Sequence, residues 1–284
     1  MHTFVVTDPN PAAWAAMRDY VVSSGDLAVA QYDTTPISIP TSQWVQRVSP
    51  LWYWESSIND AEAAVAMAGA INGITALGRR VAVDEVRLGP EDLTSLCAYV
   101  VPLLDNPELV HWYLVAGTGV SYEILDWDFA NPVITTILER GSHLLPEIYV
   151  SQFEAERSGD PVSYIDNYFR GPMDTKLPYL LDTIQWVDAD PSQVRFVFPV
   201  VDRYTRDRNG KRRAKLPYAK HLDLVMSRAW RVYPKIAANG FGTWKWQASA
   251  LRSSGRAATV AAMLKHYTTG PGATSRGKVK FFDK

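Results

Sequence analysis

Short apolar runs in this chain end repeatedly in acid: Asp8, Asp33, Glu55, Asp84, Glu85, Glu154 and Asp202 each stand where such a run stops. Carboxyl groups gathered on one rim suit general acid/base chemistry, with one held protonated and its neighbour ionised. Asp84 and Glu85 form the clearest pair, because they follow Val81-Ala82-Val83 without a break and precede Val86. Adjacent strand residues point to opposite faces, and small Ala82 suits a crowded interior. Asp84 shares its parity and is expected inside, which leaves Glu85 at the rim or paired with Arg79 or Arg87. Glu154 ends the run Ile148 to Glu154 and shares parity with Gln152, while Asp202 ends Val194 to Asp202. Asp84, Glu85, Glu154 and Asp202 are therefore the candidate catalytic residues. The alternatives are a buried ion-pair network for Asp84 and Glu85, and helix capping for Asp8 and Asp33.

The chain holds 10 Trp and 14 Tyr, rings with an apolar body and a polar handle that suit stacking on sugars as well as core packing. Trp52 and Trp112 read as core. Trp54, Trp244 and Trp246 fall at run ends beside the acids and are candidate substrate-binding residues, with Gln152 and Gln247 as hydrogen-bonding partners. A loop from Arg203 to Lys215 surrounds Asn209-Gly210 with arginine and lysine. It reads either as a solvated turn or as a basic hairpin that meets an anionic glycan, a phosphate or an acidic protein surface.

Other chemistries lack their residues. His2, His111, His143, His221 and His266 show no metal-ligand spacing, so no metal is expected, and no P-loop or nucleophile elbow is present. No cofactor is called for. Cys97, the single cysteine, has no disulfide partner in the chain and reads as a packed helix residue. A formal net charge of -1 gives no overall attraction to nucleic acid or to anionic lipid. No apolar run reaches the roughly 18 residues of a membrane span, and the start lacks signal-peptide character. A soluble protein without membrane insertion is expected, and release on lysis or incorporation in a virus particle remains open to it.

The elements that must position these groups alternate. The strand-like runs are Phe4 to Asp8, Leu27 to Asp33, Leu51 to Glu55, Val81 to Glu85, Leu109 to Val115, Ile148 to Glu154, Val194 to Asp202 and Gly242 to Gln247. Helix-like segments between them cover 12–22, 61–77, 91–104, 131–140, 160–169, 176–187, 218–233 and 255–267, with only about two turns at 41–48. Strands alternating with helices imply parallel pairing, and this pattern predicts an α/β protein, a single (β/α)8 TIM barrel over residues 1–267. The remaining residues, 268–284, read as an extended basic C-terminal arm. An open doubly wound sheet would need a glycine-rich fingerprint that follows none of the runs.

Two passages carry a resemblance. Val81-Ala82-Val83-Asp84-Glu85 resembles the acidic fourth-strand end of glycoside-hydrolase-type TIM barrels, and Trp246-Gln247 with Ser249 is similar to the final-strand WQ-x-S of the lysozyme-like family 25 barrels. Leu51 to Glu55 with the Ala-rich segment after it is similar to related glycoside-hydrolase-like domains. The chain departs from the family in carrying adjacent Asp84-Glu85 in place of Asp-x-Glu, and in lacking the early Asp-x-Ser. The resemblance implies hydrolysis of a polysaccharide or cell-envelope glycan, with Glu85 or Asp84 as general acid and Glu154 or Asp202 as nucleophile or base. Two other functions fit the same residues. One is a non-catalytic carbohydrate-binding or structural module of a phage tail or surface assembly, docked through the basic loop and arm. The other is a metal-assisted lyase or aldolase whose acids hold magnesium.

Overall fold

A computed structural model describes residues 3–6, 27–30, 41–86, 93–114, 127–170, 189–199, 218–246 and 266. The strands are β1 (Thr3–Val6), β2 (Leu27–Ala30), β3 (Trp44–Val48), β4 (Arg80–Val86), β5 (Val110–Leu114), β6 (His143–Pro146), β7 (Val197–Pro199) and β8 (Gly242–Trp246). They form one eight-stranded sheet in the order β6-β5-β4-β3-β2-β1-β8-β7, and every neighbouring pair is parallel. The helices are α1 (Pro50–Trp54), α2 (Asp60–Thr75), α3 (Leu93–Val100), α4 (Trp127–Glu139), α5 (Gln152–Arg157), α6 (Pro161–Arg170), α7 (Tyr218–Val232) and α8 (Pro234–Ala237). The chain is thus an α/β protein built on a parallel sheet.

Isolated parallel bridges join Leu144 to Val194 and Glu147 to Val197. The Arg195 amide donates to the Leu144 carbonyl at 3.1 Å, and the Ile148 amide donates to the Val197 carbonyl at 2.7 Å. The segments at the two ends of the strand order therefore share backbone hydrogen bonds.

Alternation along the strands divides the core in two. Val81, Val83, Trp112, Leu114, Leu144, Phe196 and Phe198 pack in one buried cluster with Met67 and Ile71 of α2, Cys97 of α3, Ile137 of α4, Phe169 of α6 and Met226 of α7. The intervening residues Leu27, Val29, Val45, Ala82, Tyr113, Leu145 and Val197 form a second cluster that, among the described residues, contains no helix residue. Strands buried on both faces read as near-continuous apolar runs, as Val81-Ala82-Val83 does. At Gly242, opposite Val197 in register, an added Cβ would lie 2.7 Å from Val197 Cγ2. Glycine is what lets β8 approach β7 at that point.

Local chemistry explains where the helices start. Asn59 caps α2 by accepting the Glu62 amide at 2.9 Å, and Gly78 closes its far end with φ 69°. Helix α4 begins before Pro132, which had been expected at its start and lies inside it. Asn72 of α2 donates to the Leu103 carbonyl at 2.9 Å and Gln193 donates to the Leu138 carbonyl of α4 at 2.8 Å, tying each helix to a later connection.

Two strand expectations are overturned. Leu51 to Glu55 is not a strand: Pro50 at the first helical position after Ser49 opens α1, and the third strand is Trp44–Val48, within the segment expected to hold two helical turns. Ile148 to Glu154 is not a strand either. Ser151 caps α5 by accepting the Glu154 amide at 3.3 Å, and the sixth strand lies earlier, at His143–Pro146. The helices expected at 12–22 and 176–187, the basic loop Arg203 to Lys215 and the arm 268–284 lie outside the described residues, as does the 255–267 segment apart from His266.

Candidate functional site

The carboxyl ends of the strands gather a small set of polar groups on the helix-free face. In β4, Val83 pairs with Trp112 and Val86 pairs with Leu114, so three steps on β4 match two on β5. This is a bulge, in which Asp84 and Glu85 together stand opposite Tyr113. Asp84 is buried and accepts a hydrogen bond from Arg47 Nε at 2.7 Å. Arg47 occupies the matching place on β3, two residues beyond Val45 and in register with Ala82.

The Arg47 guanidinium in turn lies over the Trp52 ring, 5.3 Å from its centroid. Trp52 was expected in the core, yet it is 44% exposed. It sits on α1, which leaves β3 immediately, and its ring is held at the surface by the cation beneath it. Trp112, by contrast, is fully buried under the helices, as its sequence context implied.

Glu147 is the acid immediately after the sixth strand, where it forms the isolated bridge with Val197. Its amide donates to the Leu114 carbonyl at 2.8 Å, it is buried, and alternation places it on the face of Leu145, two residues earlier. It escaped the sequence reading because the richer run Ile148 to Glu154 drew the strand assignment. Gly141, with φ 81°, marks the helix stop before His143 and was the available signal.

The expected residues divide accordingly. Asp84 and Glu85 lie at the end of β4. Glu154 is corrected from a strand end to the first turn of α5, where its amide completes the Ser151 cap. Its carboxylate lies near the Tyr164 phenol, whose pKa is raised mainly by burial and further by that charge. Gln152 is the first residue of α5, buried, and donates to Glu156 Oε1 at 3.0 Å. Trp54 is corrected from a strand end to the last residue of α1. Trp244 and Trp246 lie on β8 as expected, in register with Val5 and Val6 across an irregularity at Lys245. Asp202 and Gln247 lie outside the described residues, as do Asp8 and Asp33.

No protein-family model and no curated protein matches the chain. Chemistry must therefore be argued from the side chains themselves. Cys97 is no nucleophile: burial pushes its thiol up to about 12. His221 is buried on α7 and donates from Nε2 to the Val150 carbonyl at 3.0 Å, and burial lowers its pKa. It positions the turn into α5. Among the described residues no group of three or more His, Cys, Asp or Glu side chains could hold a metal ion, and no helix is long and apolar enough to cross a membrane. What remains at the carboxyl end is a carboxylate, Asp84, fixed by a guanidinium, with a second acid in the same bulge and a third at the end of β6.

Proposed function

We propose that the chain is a (β/α)8 barrel of glycoside-hydrolase type that acts on a polysaccharide or cell-envelope glycan by carboxylate acid/base chemistry. Closure of the sheet into a barrel is supported by the backbone bonds between the β6 and β7 segments and by a helix-free cluster drawing on β2 through β7. The observation that carries the catalytic reading is Asp84: a buried carboxylate at the carboxyl end of β4, on the helix-free face, fixed by Arg47. In barrels of this kind catalytic groups stand at the carboxyl ends of several strands.

A carboxylate that accepts a guanidinium N–H suits the role of base, or of stabiliser for positive charge developing on a sugar ring. Proton donation then falls to Glu85 or to Glu147, which takes the strand-six place first given to Glu154. Trp52 offers an exposed ring against Arg47, the partner of Asp84, and Trp54, Trp244 and Trp246 complete the candidate sugar subsites. The test is release of reducing ends from purified cell-wall glycan and soluble polysaccharides. Asp84→Asn, Glu85→Gln and Glu147→Gln should each slow turnover by about 10²-fold or more. Undiminished turnover in all of them would overturn these roles.

The same ion pair supports a second reading, a non-catalytic carbohydrate-binding or structural module of a phage tail or surface assembly. There Arg47 and Asp84 act as a structural unit beneath a Trp52 platform. Glycan binding by the wild type without any hydrolysis would favour the module.

A further inference from the structure

The amino ends of the same strands carry a second polar cluster, of opposite sign. Arg80, His111, His143 and Arg195 each stand two residues before a member of the helix-free cluster, respectively Ala82, Tyr113, Leu145 and Val197. Alternation therefore puts all of them on that face. They also meet there. Arg80 Nη1 lies 3.4 Å from His111 Nε2, and the His111 and His143 rings stack with centroids 4.7 Å apart. The charge of Arg195 acts on both imidazoles, and the charge of Arg80 acts on Arg195.

Among the described residues the cluster is short of acceptors. Arg195 is 4% exposed; its Nε donates to the Asn239 carbonyl at 3.3 Å, but its Nη1 is buried without a hydrogen-bond partner. His111 is 1% exposed. Arg80 can only donate, so His111 Nε2 accepts and the ring proton sits on Nδ1, itself buried and unpartnered. His143 Nδ1 is likewise buried and without a hydrogen-bond partner, although the Glu108 and Ser192 backbones favour the protonated form of this ring. Among the described residues, the acids whose charge reaches the cluster are Glu108 beside Arg80 and Asp190 beside His143; both are exposed, and Asp190 already accepts the Ser192 amide at 2.8 Å. Tyr113, whose charged form would favour the Arg195 cation, is the remaining titratable neighbour among the described residues. A buried guanidinium with an unused donor and a second guanidinium nearby is costly unless an anion joins it.

We propose that Arg195, Arg80, His111 and His143 form a binding site for a small oxyanion, of the phosphate or sulfate class, at the amino end of the sheet. Arg195 and Arg80 supply charge and N–H groups, and His111 Nδ1 supplies a neutral donor. Arg80 and His143, both half-buried, form the entrance, with Arg195 and His111 at the bottom. The site is separate from the carboxyl-end acids and does not depend on the glycan reading.

Inorganic phosphate is the probe, titrated into the full chain at constant ionic strength, with sulfate and chloride as comparison arms. Calorimetry should give saturable phosphate binding at least tenfold tighter than chloride, and binding at least tenfold weaker in Arg195→Met and Arg80→Met. Binding equal in the wild type and in both variants would overturn the site. Should the variants fail to fold, the wild type decides alone. Saturating phosphate should shift the ring resonances of His111 and His143 and raise the titration midpoint of His143 from about 4. Unmoved histidine resonances, or identical shifts with chloride, would overturn it.

Discussion

The two ends of the helix-free face are built from the same strands by the same alternation, yet they balance charge in opposite ways. At the carboxyl end Asp84 meets Arg47 at 2.7 Å, cation and anion side by side and both nearly buried. At the amino end Arg80 contacts His111, the charges of Arg80 and Arg195 act on both imidazoles and that of Arg80 acts on Arg195, while among the described residues the neighbouring acids stay at the surface. Burial penalises the charged form at the amino end, where the Arg195 pKa falls to about 10. One end is complete in itself; the other is complete only with a guest.

Substitutions that treat the ends alike test this contrast. The largest effect belongs to Arg47→Met, which takes the guanidinium from a buried carboxylate and should cost about 3–5 kcal/mol in urea denaturation. Arg47→Met with Asp84→Leu should recover most of the loss. If the double variant stays as unstable as the single, the two ends are not distinguished by pairing.

Next comes pH. Burial, with the charges of Arg195 and Arg80, holds His143 down at about 4, and it holds His111 well below its ordinary value, where the His143 charge contributes as well. The unfolded chain takes up these protons as pH falls below about 6.5, whereas folded His143 does so only near 4. Stability is thus full above the unfolded value and is lost as pH drops through that window, by about 2 kcal/mol for a half-buried group. His143→Gln should make the profile shallower between those limits, with His111 and His221, both also lowered by burial, accounting for the slope that stays. Asp166, held down by the hydrogen bond from Arg228, adds its own loss only below its ordinary carboxylate range. A profile as steep in His143→Gln as in the wild type would assign the loss to other groups.

Smaller still is Arg195→Met, which removes an uncompensated cation. In phosphate-free buffer it should be neutral or stabilise by about 1 kcal/mol, against the sign of Arg47→Met. A loss above ~2 kcal/mol would place Arg195 in a complete network like that of Arg47. Last, Trp52→Ala should cost only about 0.5–1 kcal/mol, because the cation beneath the ring remains partnered by Asp84.

Much of the sheet was legible in the chain. Strands β4, β5 and β8 fall where their apolar runs do, and the parity of Ala82 placed Asp84 on the correct face. The third and sixth strands were not legible, because aromatic and β-branched content outweighed capping chemistry. Ser49-Pro50 and the Ser151-to-Glu154 spacing are helix starts. The true strands, WVQRV with its interior arginine and the short HLLP, are weaker strand formers by composition. The bulge at Asp84-Glu85 depends on pairing with β5 and leaves no mark in β4 alone. The amino-end cluster was hidden for a related reason: its residues are far apart in sequence, and only the register of His111 against His143 brings them together.

The bonds between the β6 and β7 segments carry one more consequence. Arg195 gives its amide to Leu144 across that junction while its side chain is buried near the like charge of Arg80. Repulsion within the cluster therefore loads the junction where the described ladder is thinnest, isolated bridges in place of the continuous pairing of β4 with β5. The amides of Arg195 and Ile148 should exchange with solvent deuterium well before those inside β4 and β5, marking this junction as the first to breathe.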